Sequence, residues 1–143
     1  MKPILPVRLV LTACMALFFN LKVAAQAPSQ KVYTVAEQQP EYPGGNTALS
    51  RYLAATIRIP GALVRKNYDM GPVAAKFIID ELGYIHDVRV TTKHLDKKTL
   101  KVMQGYMTSI ITAVEKMPRW QPGEIAGKPV SVFYTLPIDV TIQ

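Results

Sequence analysis

Residues 73–91 decide the fold and read VAAKFIIDELGYIHDVRVT. Every second side chain of Val73–Ile79 is apolar, which is typical of a strand that buries one face. Gly83 then supplies the left-handed backbone that a tight hairpin turn needs. A return strand is predicted from Tyr84 to Thr91, so this stretch indicates an antiparallel hairpin.

The return strand has one irregularity in its pattern. His86, Val88 and Val90 fall on one face if the strand alternates regularly. Ile85 is then out of phase with the other apolar residues. A bulge, or a strand that begins late, is the ordinary reason for such a slip.

Helical segments and a further strand surround the hairpin. Apolar residues recur every three or four positions over Thr47–Ile57 and over Asp96–Met117, which predicts two amphipathic helices. Pro60 suits the first position of a helix, so Gly61–Lys66 is predicted to form a short one. Alternation returns over Val130–Leu136 and predicts a third strand.

These elements predict an α+β fold. The sheet is expected to have about three antiparallel strands, with two or three helices packed on one face. Nothing in the order of the elements closes the sheet into a barrel. At least one edge strand is therefore expected to be exposed.

The first 25 residues are typical of a secretory signal peptide. Lys2 and Arg8 precede an apolar run over residues 9–19, and small residues end at Ala25, where a signal peptidase would cleave. The run is shorter than the about 20 apolar residues that span a bilayer. We therefore predict export to the periplasm, with an uncleaved, membrane-anchored segment as the alternative.

A second alternative concerns the single cysteine of the chain, Cys14. The tetrapeptide Leu-Thr-Ala-Cys that it ends looks like a bacterial lipobox, which would place a lipid on Cys14. The apolar run continues for several residues beyond it, however, whereas a lipoprotein signal normally finishes before the cysteine. Cleavage after Ala25 is therefore the favoured prediction.

The predicted organisation has three parts. Residues 1–25 form the signal peptide and residues 26–39 a short polar lead-in, with a short strand at Lys31–Val35. Residues 40–143 form one globular domain, a length for which a single core is usual.

The positive charge does not indicate a nucleic-acid partner. The chain has 17 basic and 10 acidic residues, a net charge of +7, but three of the basic residues lie in the predicted signal. The densest group, between Lys93 and Lys101, has no aromatic residues interleaved with it, as single-strand binding would need. A solvated helix face is the simpler interpretation.

Catalytic and metal-binding patterns are not found in the sequence. His86 and His94 are the only histidines, and they fall on different elements without further cysteines or an acidic cluster. The serines lack the glycines of a nucleophile elbow, and no glycine-rich loop joins a strand to a helix. We therefore predict a binding module without enzymatic activity, metal or cofactor.

Three motifs in order resemble one family, the C-terminal domain of TonB energy transducers in its Bacteroidetes-type form. The first is PEYPGG at residues 40–45, and the second is the hairpin at residues 77–90. The third combines PRWQPG at residues 118–123 with GKPV at 127–130 and YTLP at 134–137. The resemblance covers about residues 35–140, and the first and third motifs are specific in combination. Its motif residues, for which a structural role is favoured over partner contact, are Pro43, Gly44, Gly45, Pro118, Trp120, Pro122 and Gly123.

The resemblance implies a periplasmic domain that binds the N-terminal peptide of TonB-dependent outer-membrane transporters. In that family the peptide adds as an extra strand beside the last strand of the sheet, a mode known as β-augmentation. The corresponding edge residues in this chain are Val130, Ser131, Val132, Phe133, Tyr134, Thr135 and Leu136.

The chain also departs from the family pattern. A full transducer has a membrane anchor and a long proline-rich linker, whereas here about 15 residues separate the predicted signal from Pro40. Lys97-Lys98-Thr99 replaces the usual carboxylate-rich start of the last helix. The alternative function is therefore an envelope structural or protein-interaction domain that has lost the transporter grip. A homodimer through the sheet edge is a further candidate assembly.

Overall fold

The structure, a computed structural model, describes residues 31–65 and 71–138. The predicted signal peptide and the lipid-attachment alternative at Cys14 lie outside the described residues. Among the residues that are described, no helix combines the length and the hydropathy that crossing a membrane requires.

Five strands and three helices make up the described fold. The strands are β1 (Val32–Tyr33), β2 (Val73–Ile79), β3 (Ile85–Thr91), β4 (Gly123–Ile125) and β5 (Lys128–Ile138). The helices are α1 (Gly45–Thr56), α2 (Gly61–Arg65) and α3 (Lys97–Glu115).

The predicted α+β class is confirmed, but the sheet is larger than expected and mixed. Its strand order is β1-β5-β2-β3, with β4 pairing to β5 outside this path. β5 is antiparallel to β2 over seven register pairs, and β1 is parallel to β5 over two. β4, with three residues, is too short to show an alternating pattern in the sequence. β1, with two, was expected as a short strand of the lead-in and not as part of the three-stranded sheet.

The described part of the predicted lead-in, residues 31–39, contributes a strand to this sheet. β1 lies within the predicted short strand Lys31–Val35. Farther along, Gln38 and Glu41 form antiparallel bridges to Glu124 and Gln121. The chain from residue 32 to residue 41 is therefore tied by main-chain hydrogen bonds to the last hairpin of the domain.

The β2–β3 hairpin contains the bulge that the sequence indicated. Lys76 pairs with Arg89 and Ile78 with His86, so two residues of β3 lie opposite Phe77 alone. Asp87 lies in this bulge with a positive φ of 52°. The bulge resets the alternation of side chains along β3.

This reset corrects one sequence prediction. Ile85, Val88 and Val90 pack against the core, whereas His86 is exposed. Placing His86 on the same face as Val88 and Val90 was therefore wrong. The physical reason is the extra residue of the bulge, which turns Ile85 inward and His86 outward.

One face of the sheet carries the core. The odd residues of β2, from Val73 to Ile79, are buried and alternate with half-buried ones. Helix α3 covers this face with buried side chains at helical spacing, among them Met103, Tyr106 and Ile110. Burial of the Met103 and Ile110 side chains stabilises the fold by about 1.5–3 kcal/mol each.

Helix α3 has a well-defined start. The Asp96 carboxylate accepts hydrogen bonds from the Lys98 and Thr99 main-chain N–H groups. A second Asp96 oxygen accepts from the Thr99 hydroxyl at 2.6 Å. This cap replaces the acidic first turn expected from the family pattern, because it satisfies main-chain donors that would otherwise lack partners.

Candidate functional site

β5 is the strand predicted to accept a partner peptide. Its N-terminal part has neighbouring strands, whereas its C-terminal part lies at the boundary of the described sheet. Val130 pairs with Gly123 of β4, and Ser131 and Val132 are in register with β1. On its other side, β5 pairs with β2 from Val132 to Ile138. Among the described residues, no strand pairs with β5 beyond Val132 on the side away from β2.

The predicted seven-residue edge is thus divided. Its first three residues, Val130–Val132, already have strand partners. Its remaining four, Phe133–Leu136, have β2 on one side and, within residues 31–65 and 71–138, no paired strand on the other. The open edge continues to Ile138, because β5 extends two residues beyond Leu136, where the sequence analysis ended the strand.

Pro137 fixes the direction of the main-chain groups along this open edge. It pairs with Ala74 in the β2–β5 ladder. Because proline has no N–H to donate, it is tolerated within a ladder only where the strand directs its main-chain groups away from the neighbour. Pro137 therefore turns its C=O away from β2.

The same argument fixes the direction of the main-chain groups of Thr135 and Phe133. Main-chain groups in an antiparallel strand alternate in direction with a period of two residues. Thr135 therefore directs both its N–H and its C=O to the open edge, and Phe133 directs its C=O there. Tyr134 and Leu136 direct their groups to β2, where they are in register with Phe77 and Ala75. Thr135 is the residue of the open edge best placed to bond an added strand.

The side chains of β5 divide between the two faces of the sheet. Leu136 and Ile138 are buried on the helix side, and Tyr134 is partly buried beside Phe77 and Trp120. Burial raises the pKa of the Tyr134 phenol above its ordinary value. Phe133 and Thr135 are exposed on the opposite face.

The two motifs that carry the family resemblance meet in space. Glu41 of the first motif and Gln121 of the third exchange main-chain hydrogen bonds of 3.0 and 2.9 Å. The rings of Tyr42 and Trp120 make an edge contact at 5.5 Å between centroids. A shallow cavity of about 400 Å³ lies between the motifs.

Trp120 occupies the centre of an aromatic cluster. Its ring is 3% exposed and contacts Phe77 and Tyr134 as well as Tyr42. The indole N–H has no hydrogen-bond partner among the described residues. In the described fold the ring packs against Tyr134 of β5 and leaves little exposed surface for a ligand.

The motif glycines and prolines surround this cluster as backbone elements. Gly44 has a φ of 85° and Gly45 a φ of 77°, and Gly44 directly precedes α1. A Cβ on Gly123 would lie 2.7 Å from the Val132 side chain and 3.1 Å from the Gln38 C=O. Pro43 lines the cavity between the motifs, and Pro118 and Pro122 flank Trp120 in the segment between α3 and β4.

The hairpin turn that precedes β3 is tied to the same segment. The Trp120 N–H donates to the Gly83 C=O at 3.0 Å, and the Arg119 guanidinium donates to the Leu82 C=O. A Cβ on Gly83 would come within 1.9 Å of the Trp120 C=O. Gly83 is therefore required both by its φ of 86° and by the closeness of this contact.

A carboxylate organises this turn from the inside. Asp80 accepts hydrogen bonds from the Leu82 and Tyr84 N–H groups and contacts the His86 ring at 2.7 Å. Burial acts to raise the pKa of Asp80, but the hydrogen bonds from His86, Tyr84 and Leu82 outweigh it, so the pKa lies below its ordinary value. Within the described ranges, no group of three or more His, Cys, Asp or Glu residues could hold a metal ion.

The sequence reasoning missed two features of the site. It ended the strand at Leu136, although Pro137 fits an edge-facing position and Ile138 continues the alternation. It also gave no role to Lys76 and Ile78, which lie beside β5 on the exposed face. Continuing the alternation of β5 and counting the outward side chains of Val73–Ile79 would have found both.

Comparisons with protein families, with curated proteins and with solved structures give no match for this chain. The resemblance to the TonB C-terminal domain, and the role it implies for β5, therefore remain predictions.

Proposed function

We propose that this protein is a peptide-accepting domain of the bacterial envelope. It binds an extended segment of a partner as an additional strand on the open edge of β5, from Phe133 to Ile138. The partner class that the sequence motifs indicate is the periplasmic N-terminal peptide of TonB-dependent outer-membrane transporters. The protein acts by binding and requires no cofactor.

One observation supports this proposal above the others. The Phe133–Ile138 stretch is regular, uncharged and unpaired on one side among the described residues. Main-chain groups along such an edge are a template for a further strand. The N–H of Thr135 and the C=O groups of Phe133, Thr135 and Pro137 are the groups that such a strand would bond.

The expected affinity is low. About four main-chain hydrogen bonds at about 1 kcal/mol net each give roughly 4 kcal/mol before ordering costs. This corresponds to a dissociation constant in the millimolar range unless side chains add contacts. Weak, reversible binding suits a transient encounter with a transporter.

A second candidate function is supported by β1. The chain's own lead-in occupies Ser131 and Val132, the first part of the predicted acceptor edge. A domain whose edge is closed in this way fits an envelope structural role without a transporter grip. The two functions differ in whether Phe133–Ile138 accepts a foreign strand.

An NMR titration tests the proposal. The mature form of the protein is first defined by its intact mass. This form is purified and titrated with N-terminal peptides of outer-membrane transporters from the same cell. We expect saturable shifts centred on Thr135, and none with peptides in which alternate residues are N-methylated. No shift up to millimolar peptide would exclude the transporter role. Concentration-dependent shifts without peptide would instead indicate a homodimer through this edge.

A further inference from the structure

The exposed face of the sheet beside the open edge has an ordered arrangement of side chains. Thr135, Lys76 and Arg89 form one row across β5, β2 and β3, because Lys76 is in register with both of the others. The next row runs from Phe133 through Ile78 to His86 in the same way. From the open edge inward, the first row therefore has the short Thr135 side chain followed by two cationic side chains. The second row begins with the exposed phenyl ring of Phe133.

The cationic row has no counter-charge of its own. No described carboxylate forms an ion pair with Lys76 or Arg89. One acidic residue, Asp87, lines a shallow cavity of about 360 Å³ together with Lys76 and Arg89. Asp87 belongs to the β3 bulge, and β2 lies between β3 and the open edge. Among the described residues of this face, Lys76 is thus the charged residue that lies on the strand next to the edge strand β5.

Strand geometry puts an added residue within reach of that charge. A residue paired with Thr135 projects its side chain to the same face as Thr135. Its Cα lies two strand spacings, about 10 Å, from the Cα of Lys76. A lysine side chain and a carboxylate side chain together cover this distance, and the short Thr135 side chain leaves the space between them open.

The neighbouring row favours an apolar partner. Phe133 is 40% exposed and lies beside the half-buried Ile78. A residue paired with Phe133 projects over this ring on the same face. Aromatic and β-branched cross-strand pairs of this kind stabilise sheets.

We propose that β5 selects segments in which an acidic residue and an apolar residue are two positions apart, with the acidic residue opposite Thr135 and facing Lys76. The apolar residue lies opposite Phe133. This selectivity rests on the proposed strand addition and specifies the partner's chemistry. In a parallel strand the apolar residue comes first, and in an antiparallel strand the acidic residue comes first.

Two synthetic peptides test both directions. One has the core Leu-Val-Glu-Val and the other Val-Glu-Val-Leu, each between Gly-Ser and Ser-Gly flanks with blocked ends. Each has a counterpart with glutamine in place of glutamate. We expect one of the two directions to bind about two- to fivefold more tightly than its glutamine counterpart, the range of an exposed ion pair, with the difference shrinking at high salt.

Two variants separate a specific contact from general attraction. Lys76→Gln is expected to remove the preference for glutamate over glutamine, whereas Lys97→Gln, on the exposed start of α3, leaves it unchanged. Lys76→Glu is expected to reverse it, so that a peptide with lysine in place of glutamate binds more tightly than the original. A merely structural role of Lys76 would not reverse the preference.

The outcomes separate this inference from the function on which it rests. Equal binding of glutamate and glutamine peptides, or a preference that persists in Lys76→Gln, would overturn the selectivity and leave strand addition standing. No binding of any peptide, with Thr135 unshifted, would overturn both.

Discussion

The two outer boundaries of the sheet are built in opposite ways. At one boundary, β3 carries a bulge at Asp87. Three exposed polar residues also lie on this strand, namely His86, Asp87 and Arg89. At the other boundary, β5 has no charged residue between Val130 and Ile138 and pairs with β2 without a register shift.

The difference shows which boundary is suited to accept a strand. Bulges and charges are the usual means by which an edge avoids pairing with other chains. β3 has both, whereas the Phe133–Ile138 part of β5 has neither. An edge without bulges or charges is an aggregation hazard unless it has a use, which is the physical reason for assigning the binding function to β5.

The largest expected effect comes from proline substitutions that compare the two sides of β5. Leu136→Pro removes an N–H that faces β2, so it should lower the free energy of unfolding by about 1–3 kcal/mol more than Leu136→Ala does. Thr135→Pro removes an N–H that faces the open edge and should cost about 1 kcal/mol or less. Chemical denaturation measures both.

Thr135→Pro should also abolish peptide binding while the fold remains. Equal destabilisation by the proline at Thr135 and the proline at Leu136 would show that the edge at Thr135 is paired in the folded protein. That result would remove the contrast between the two boundaries.

The hairpin turn that sets the start of β3 gives the second effect. Gly83→Ala places a Cβ against the Trp120 C=O and should lower the free energy of unfolding by about 3 kcal/mol or more. Gly127→Ala is the matched control, because it has a similar positive φ but nothing within 4 Å of the added Cβ. It should cost only about 1–2 kcal/mol of backbone strain. Similar costs at both positions would mean that the Gly83–Trp120 contact is absent.

The bulge of β3 gives a smaller effect. A branched side chain is strained at the positive φ of Asp87, so Asp87→Val should cost about 1–2 kcal/mol. Asp87→Gly should be neutral or slightly stabilising, since glycine adopts this conformation freely. Thermal unfolding of both variants measures the difference, and a stable Asp87→Val protein would argue against the bulge.

The smallest effect is the pH dependence of the turn before β3. The pKa of Asp80 is lowered in the folded protein from an unfolded value of about 3.9. Its stabilisation is therefore present above that value and is lost as the pH falls through the folded-state pKa. Denaturation of the wild type and of Asp80→Asn should differ at pH 6 and converge near pH 2. A difference that persists at pH 2 would contradict this account.

The sequence predicted the long elements well because periodicity needs length. The bounds of β2 and the strand–helix–strand order around α3 follow from alternation and helical spacing over seven or more residues. β4 was beyond this reasoning, since three residues show no period. β1 falls within a strand that was predicted, but its pairing with β5 was not, because it forms only when the tertiary fold brings the two together. The face of His86 was wrong because the bulge changes the phase within the strand.

The candidate site was predictable in part. Alternation identified β5, and the family resemblance suggested its use as an acceptor. Which residues of β5 are free depends on where β1 docks, which no local pattern of Val32 and Tyr33 reveals. The direction of the Thr135 amide, in contrast, follows from Pro137 once β5 is known to pair with β2.

Hydrogen exchange at individual amides of β5 tests the central claim most directly. In the purified protein without peptide, we expect the Thr135 amide to exchange rapidly, whereas the amides of Tyr134 and Leu136 are protected by β2. A Thr135 amide as strongly protected as that of Leu136 would contradict the account, because the edge assigned to strand addition would already be occupied.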